Sequence, residues 1–187
     1  MKTRSKVLLS TAVVLLIALG ATLYASGTSL QGRFIGGGSI ALSSSSPSGS
    51  RSVSISDDIF VFDVEATAVR PSVIQAEDVL LFKFSSSTTG DIDPANGEGG
   101  RVSLTDSSGD EVGHGYVVTY EAAGNPFYAY AAVVMLGTVT VAAGDTETLT
   151  LNLDSSSLLD ESSESDDELV TSMKYGTTTV TGNILRY

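Results

Sequence analysis

Thr146 to Asp154 reads TETLTLNLD, with Leu149, Leu151 and Leu153 on one side and Thr148, Thr150 and Asn152 on the other. That period of two is the pattern of a strand with one buried and one solvated face. The same pattern recurs on both sides of it. Upstream, IFVFDVEATA places Phe60, Phe62, Val64, Ala66 and Ala68 opposite Asp63, Glu65 and Thr67. Val79 to Ser85 aligns Leu80, Phe82 and Phe84, and Val102 and Leu104 alternate with Ser103 and Thr105. Asp106-Ser-Ser-Gly-Asp110 then has the composition of a hairpin turn. Its return strand groups Val112, His114, Tyr116, Val118 and Tyr120 against Gly113, Gly115, Val117, Thr119 and Glu121. Phe127 to Val141 is too continuously apolar for a two-faced strand and reads as a central core strand, with a break at Gly137. Val170 to Tyr187 supplies a last strand or pair, and acidic Ser155 to Glu168 reads as a loop. Seven to nine short strands at a spacing of roughly 8 to 15 residues predict an all-β fold, a single jelly-roll or Ig-like β-sandwich.

The N-terminus is of a different kind. Lys2, Arg4 and Lys6 precede an apolar run, Val7 to Ala25, of about 19 residues, which predicts a hydrophobic helix acting as signal peptide or retained anchor. Three of the ten basic residues lie there and none of the 22 acidic ones, so the exported part holds seven against 22, about −15. Such a charge disfavours nucleic acid and anionic headgroups, leaving the membrane only to the N-terminal segment. With no cysteine, the domain is held by its core rather than by disulfides. The organisation predicted is residues 1–26 signal or anchor, 27–50 arm and tether, and 51–187 sandwich. An extracellular or cell-surface location follows.

No enzymatic signature emerges. His114 is the single histidine, and no G-x-S-x-G elbow accompanies it, so a hydrolytic triad is not indicated. Asp63 and Glu65 share a strand face, but a glycosidase groove needs aromatic platforms. There is no tryptophan, and most of the aromatics are expected in the core. Calcium is the cofactor best matched by the oxygen-rich loops, with candidate ligands Asp91, Asp93, Asn96 and Glu98 in one and Asp106 and Asp110 in another. Neither follows the EF-hand pattern, and the same residues are ordinary turn formers.

Between the N-terminal segment and the sandwich, Leu30 to Ile35 and Ser39 to Leu42 are β-prone pieces separated by Gly36-Gly37-Gly38, a predicted hinge. Ser43 to Ser50 (SSSSPSGS) follows as a polar tether. An arm tethered away from its own core can complete a neighbour's sheet, with Leu30, Phe34, Ile35, Ile40 and Leu42 entering the acceptor groove. Each subunit reaching the next gives head-to-tail self-assembly that does not close. This layout, with strands such as VTVAAGDTETLTLNL (Val139 to Leu153), resembles the secreted filament subunits of the TasA and camelysin group and the archaeal bundling pilins and cannula proteins. The resemblance implies an extracellular filament or pilus. The alternative is a monomeric surface module for adhesion or for carbohydrate or protein binding.

Overall fold

The computed structural model describes residues 35–52, 57–86, 100–120, 128–153, 159 and 168–187. Every regular element among them is a strand: β1 (Ile35–Gly36), β2 (Gly38–Leu42), β3 (Gly49–Ser50), β4 (Asp57–Ala66), β5 (Ser72–Ile74), β6 (Val79–Ser85), β7 (Arg101–Thr105), β8 (Glu111–Tyr120), β9 (Tyr128–Met135), β10 (Val139–Val141), β11 (Thr146–Leu153), β12 (Glu168–Tyr175) and β13 (Thr178–Arg186). The all-β reading holds. The predicted N-terminal segment, together with Leu30 and Phe34, lies outside the described residues. Among those described, no helix is long and apolar enough to cross a membrane.

Ten strands form one sheet in the order β2-β4-β11-β7-β8-β9-β6-β12-β13-β3, and β1-β5-β10 form a small second sheet. The large sheet is antiparallel throughout except where β3 runs parallel to β13. It curls until β13 packs against β2 and β4. Gly182 sits on that seam: a Cβ there would come within 2.7 Å of the Phe60 ring. Inside the curl the alternating residues meet as the pattern requires, with Phe60, Phe62, Leu80, Phe82, Phe84, Leu149, Leu151 and Leu153 all buried. The Phe60, Phe62 and Phe82 rings lie 5.8 to 6.5 Å apart, binding β4 to β6 across the core.

Two segments differ from expectation. Phe127 to Val141 divides into β9, central between β8 and β6, and β10, which leaves for the small sheet. The break falls at Leu136–Thr138, where predicted. Ser43 to Ser50 is not a loose tether. Ser43 and Ser46 are buried. The Ser43 N–H donates to the Val61 carbonyl, and the Val61 N–H donates to Ser46 Oγ at 3.2 Å. Gly49 and Ser50 then pair with Leu185 and Arg186. One serine hydroxyl and one backbone N–H of this polar stretch satisfy Val61 of β4, so a segment with no apolar face becomes a strap across the seam.

Candidate ligand-binding face

A pleated sheet sends alternate side chains to opposite faces, so each inward residue of the core fixes an outward neighbour. On β8 the inward positions Gly113, Gly115 and Val117 are buried, which turns His114, Tyr116 and Val118 outward. A Cβ on Gly115 would lie 2.2 Å from the Ala132 carbonyl oxygen, so β8 presses close to β9 and carries its bulk on the outside. Register extends this face across five strands. One row is Arg101, Tyr116, Ala132, Leu81 and Lys174, and beside it run Val118, Tyr130, Lys83 and Ser172. At a strand spacing of about 4.8 Å the first row reaches roughly 19 Å from β7 to β12.

The face is apolar at its floor and cationic at its margins. Tyr116 is 44% exposed, Val134 on β9 42% and Ile184 on β13 43%, whereas Leu81 is only 3% exposed. Leu136, bonded through its N–H to the Val112 carbonyl, continues the face past β9. Lys83 holds its ammonium 3.5 Å from the centroid of the Tyr128 ring, a cation–π contact. Partial burial pushes the Lys83 amine below the usual lysine range. Arg101 donates to both oxygens of Glu111, at 2.5 and 2.7 Å, and His114 Nδ1 lies 3.1 Å from the same carboxylate. The Arg101 hydrogen bond is the main reason the Glu111 carboxyl sits below its ordinary value and the guanidinium above its own.

Sequence reasoning placed the aromatics in the core and so missed this face. The phenylalanines of β4 and β6 are indeed buried, but Tyr116 stands outside. The signal was present in the Gly-His-Gly-Tyr order of β8: glycine suits a crowded inner face, not a wet one.

The sequence-predicted sites fall elsewhere. Asp91, Asp93, Asn96 and Glu98 lie outside the described residues. Asp106 and Asp110 close the β7–β8 hairpin, with Gly109 at a φ of 87°. Asp106 Oδ1 accepts from the Ser108 hydroxyl at 2.6 Å and from the N–H groups of Ser108 and Asp110. Those bonds hold its carboxyl below the usual range. Among the described residues no three His, Asp or Glu side chains gather as a metal group. Asp63 and Glu65 accept from Thr148 and Ser39 hydroxyls on the outer side of β4.

Of the arm residues, Ile35 belongs to β1, paired with β5. Ile40 is buried in the chain's own core, and Leu42 packs against it. β2 is an edge strand bonded to β4 through Ile40↔Val64 and Leu42↔Phe62. The glycine before it is not simply a hinge: a Cβ on Gly38 would lie 1.9 Å from both the Glu65 carbonyl oxygen and Ser72 Oγ. In the single chain the arm completes its own sheet.

No protein-family model and no curated protein matches the sequence. Among solved structures, similarity is found to AvmM, described as catalysing macrocyclization in alchivemycin A biosynthesis, at 9% identity and a TM-score of 0.40 over 82% of this chain and 87% of that one. A family 3b carbohydrate-binding module from the biomass sensoring system of Clostridium clariflavum matches at 15% and 0.35, over 71% and 90%. A family 3a module from the cipA scaffolding of Clostridium thermocellum matches at 13% and 0.26, over 69% and 93%. At these identities and TM-scores neither the chemistry of the first nor the binding of the others transfers to this chain.

Proposed function

We propose that the chain is an exported, non-catalytic β-sandwich module of the jelly-roll kind, which binds carbohydrate at the cell surface through the outer face of β7-β8-β9-β6-β12. The observation that carries this reading is the gathering of exposed apolar side chains. Of the five large apolar residues exposed among those described, Tyr116 and Val134 are neighbours on one sheet face and Leu136 continues it. Exposed apolar side chains grouped in this way mark interaction sites, and a tyrosine standing out from a sheet offers a sugar ring both a stacking surface and a hydroxyl. The test is retention of the full-length chain, in mild detergent, on a panel of immobilised polysaccharides. Tyr116→Ala is expected to weaken retention about 10-fold, the effect of losing one central aromatic anchor. Equal retention of variant and wild type on every polymer overturns the reading.

A second reading, the filament subunit built by donation of the arm, draws on the edge position of β2. Its bonds to β4 are ones that the same strand from a neighbouring copy would make equally well. Negative-stain microscopy tests it: filaments that persist after deletion of residues 27–42 exclude strand donation.

A further inference from the structure

We propose that the ligand of this face is an uncharged glycan, seated along β8 with Tyr116 under a sugar ring and neighbouring hydroxyls held by Arg101, His114 and Glu111. The proposal rests on the binding-face reading above and adds where the ligand lies, which groups hold it and that it carries no charge.

The first support is how the polar groups are set. Arg101 stands opposite Tyr116 across the β7–β8 pair, yet its guanidinium reaches Glu111, the first residue of β8. His114 lies between Glu111 and Tyr116 on the same outward side of β8, and its Nδ1 meets one of those carboxylate oxygens at 3.1 Å. Tyrosine, guanidinium, imidazole and carboxylate thus follow one another along a single strand, each between a third and a half exposed. Val134, opposite His114 on β9 and also exposed, gives the strip an apolar edge. The strip keeps clear of the middle of the sheet, where Leu81 and Tyr130 are buried.

The second support is what these groups have left to offer. Both oxygens of Glu111 accept from Nη2 of Arg101, and among the described residues nothing else accepts from its Nε or Nη1. Those N–H donors point to a ligand's acceptors. A carboxylate that accepts from Nδ1 leaves Nε2 of the neutral imidazole as an acceptor. One carboxylate therefore orients a donor and an acceptor side by side. A sugar hydroxyl both donates and accepts, and two on adjacent ring carbons match such a pair while the C–H face of the ring covers Tyr116. Charge agrees. Arg101 and Glu111 cancel one another, so an anionic group arriving here meets the carboxylate and a cationic one the guanidinium. An uncharged polyol meets neither penalty.

The experiment measures binding of the full-length chain, in mild detergent, to dextran, mannan, mixed-linkage β-glucan and polygalacturonate at about 20 and 200 mM salt, where screening lengths differ roughly threefold. Expected is binding of at least one uncharged polymer that changes less than about 2-fold between the two salt concentrations, since no net charge is neutralised. Arg101→Lys keeps a cation against Glu111 but loses the planar fork of donors. That variant and His114→Ala are each expected to bind the same polymer about 10-fold more weakly, with an unchanged melting temperature. Undiminished binding in both variants, with Tyr116→Ala still weakening it, overturns the strip and leaves the face standing. Binding confined to polygalacturonate and lost at the higher salt overturns the uncharged ligand. Failure of every polymer to bind overturns both the strip and the binding-face reading beneath it.

Discussion

The outer side of one continuous sheet carries two opposite chemistries. On the flank formed by β2, β4 and β11, polar groups answer one another: Thr148 donates to Asp63 at 2.8 Å, Ser39 to Glu65 at 2.9 Å, and Ser46 receives the Val61 N–H. On the face formed by β7, β8, β9, β6 and β12, tyrosine, valine and leucine stand beside cations, and Tyr116 and Val134 face water. Strand geometry and pleat are the same in both. The difference teaches that fold alone did not require the second surface. A flank can be closed with serine and threonine, and on the reading proposed above the exposed aromatic and basic side chains of its continuation serve a ligand outside the chain.

The largest expected effect comes from removing what the two regions share. Phe62 lies under the flank, and its ring meets Phe82 of β6, under the binding face, at 6.5 Å. Phe62→Ala is expected to lower unfolding stability by about 3 to 5 kcal/mol in urea titration, through lost burial and the cavity left behind. Glycan binding should fall with it only as the folded fraction falls.

Breaking the flank alone is expected to be milder. Ser46→Ala leaves the buried Val61 N–H without its acceptor, which costs about 1 to 3 kcal/mol, again read from denaturant midpoints. Binding by the folded fraction should stay at the wild-type level. A loss of affinity in this variant would mean that the strap shapes the distant face, and the division into two surfaces would not hold. A change of opposite sign is expected at Thr171. Its hydroxyl is buried without a hydrogen-bond partner on the core side of β12. Thr171→Val keeps the shape and removes that desolvated group, raising stability by about 1 kcal/mol.

How far these surfaces were legible in the sequence follows from what each residue type can report. Leu149, Leu151 and Leu153 mark their strand unaided, since a period-2 apolar pattern has one reading. The Asp106–Asp110 turn is equally plain, because Asp and Gly serve there through local bonds. Ser43 to Ser50 was not legible: a serine hydroxyl that caps a backbone group of β4 looks, in sequence, like one that faces water. Tyr116 failed for the converse reason. An aromatic in alternation fits either face, and only the glycines opposite it, packed against β9, reveal that the inner side had no room. The position of β2 was half legible, its strand character being clear from Ile40 and Leu42 while its partner was not.

The smallest expected effect is the pH response of the carboxylate that pairs with Arg101. Glu111 receives Arg101 and lies beside His114, and the Arg101 hydrogen bond draws its carboxyl below the ordinary value. A carboxyl depressed in the folded state contributes stability that is whole above its unfolded value, and that contribution is lost as pH falls through the lower folded one. Wild type should therefore lose slightly more stability than Glu111→Gln on passing from about pH 5 to the acid side of the carboxylate range, read as the difference in their melting temperatures. Among the described residues the flank sets no cation against Asp63 or Glu65, which accept hydroxyl hydrogen bonds instead. Identical pH profiles of melting temperature in variant and wild type would show that the pairing of Arg101 with Glu111 adds nothing to the folded state.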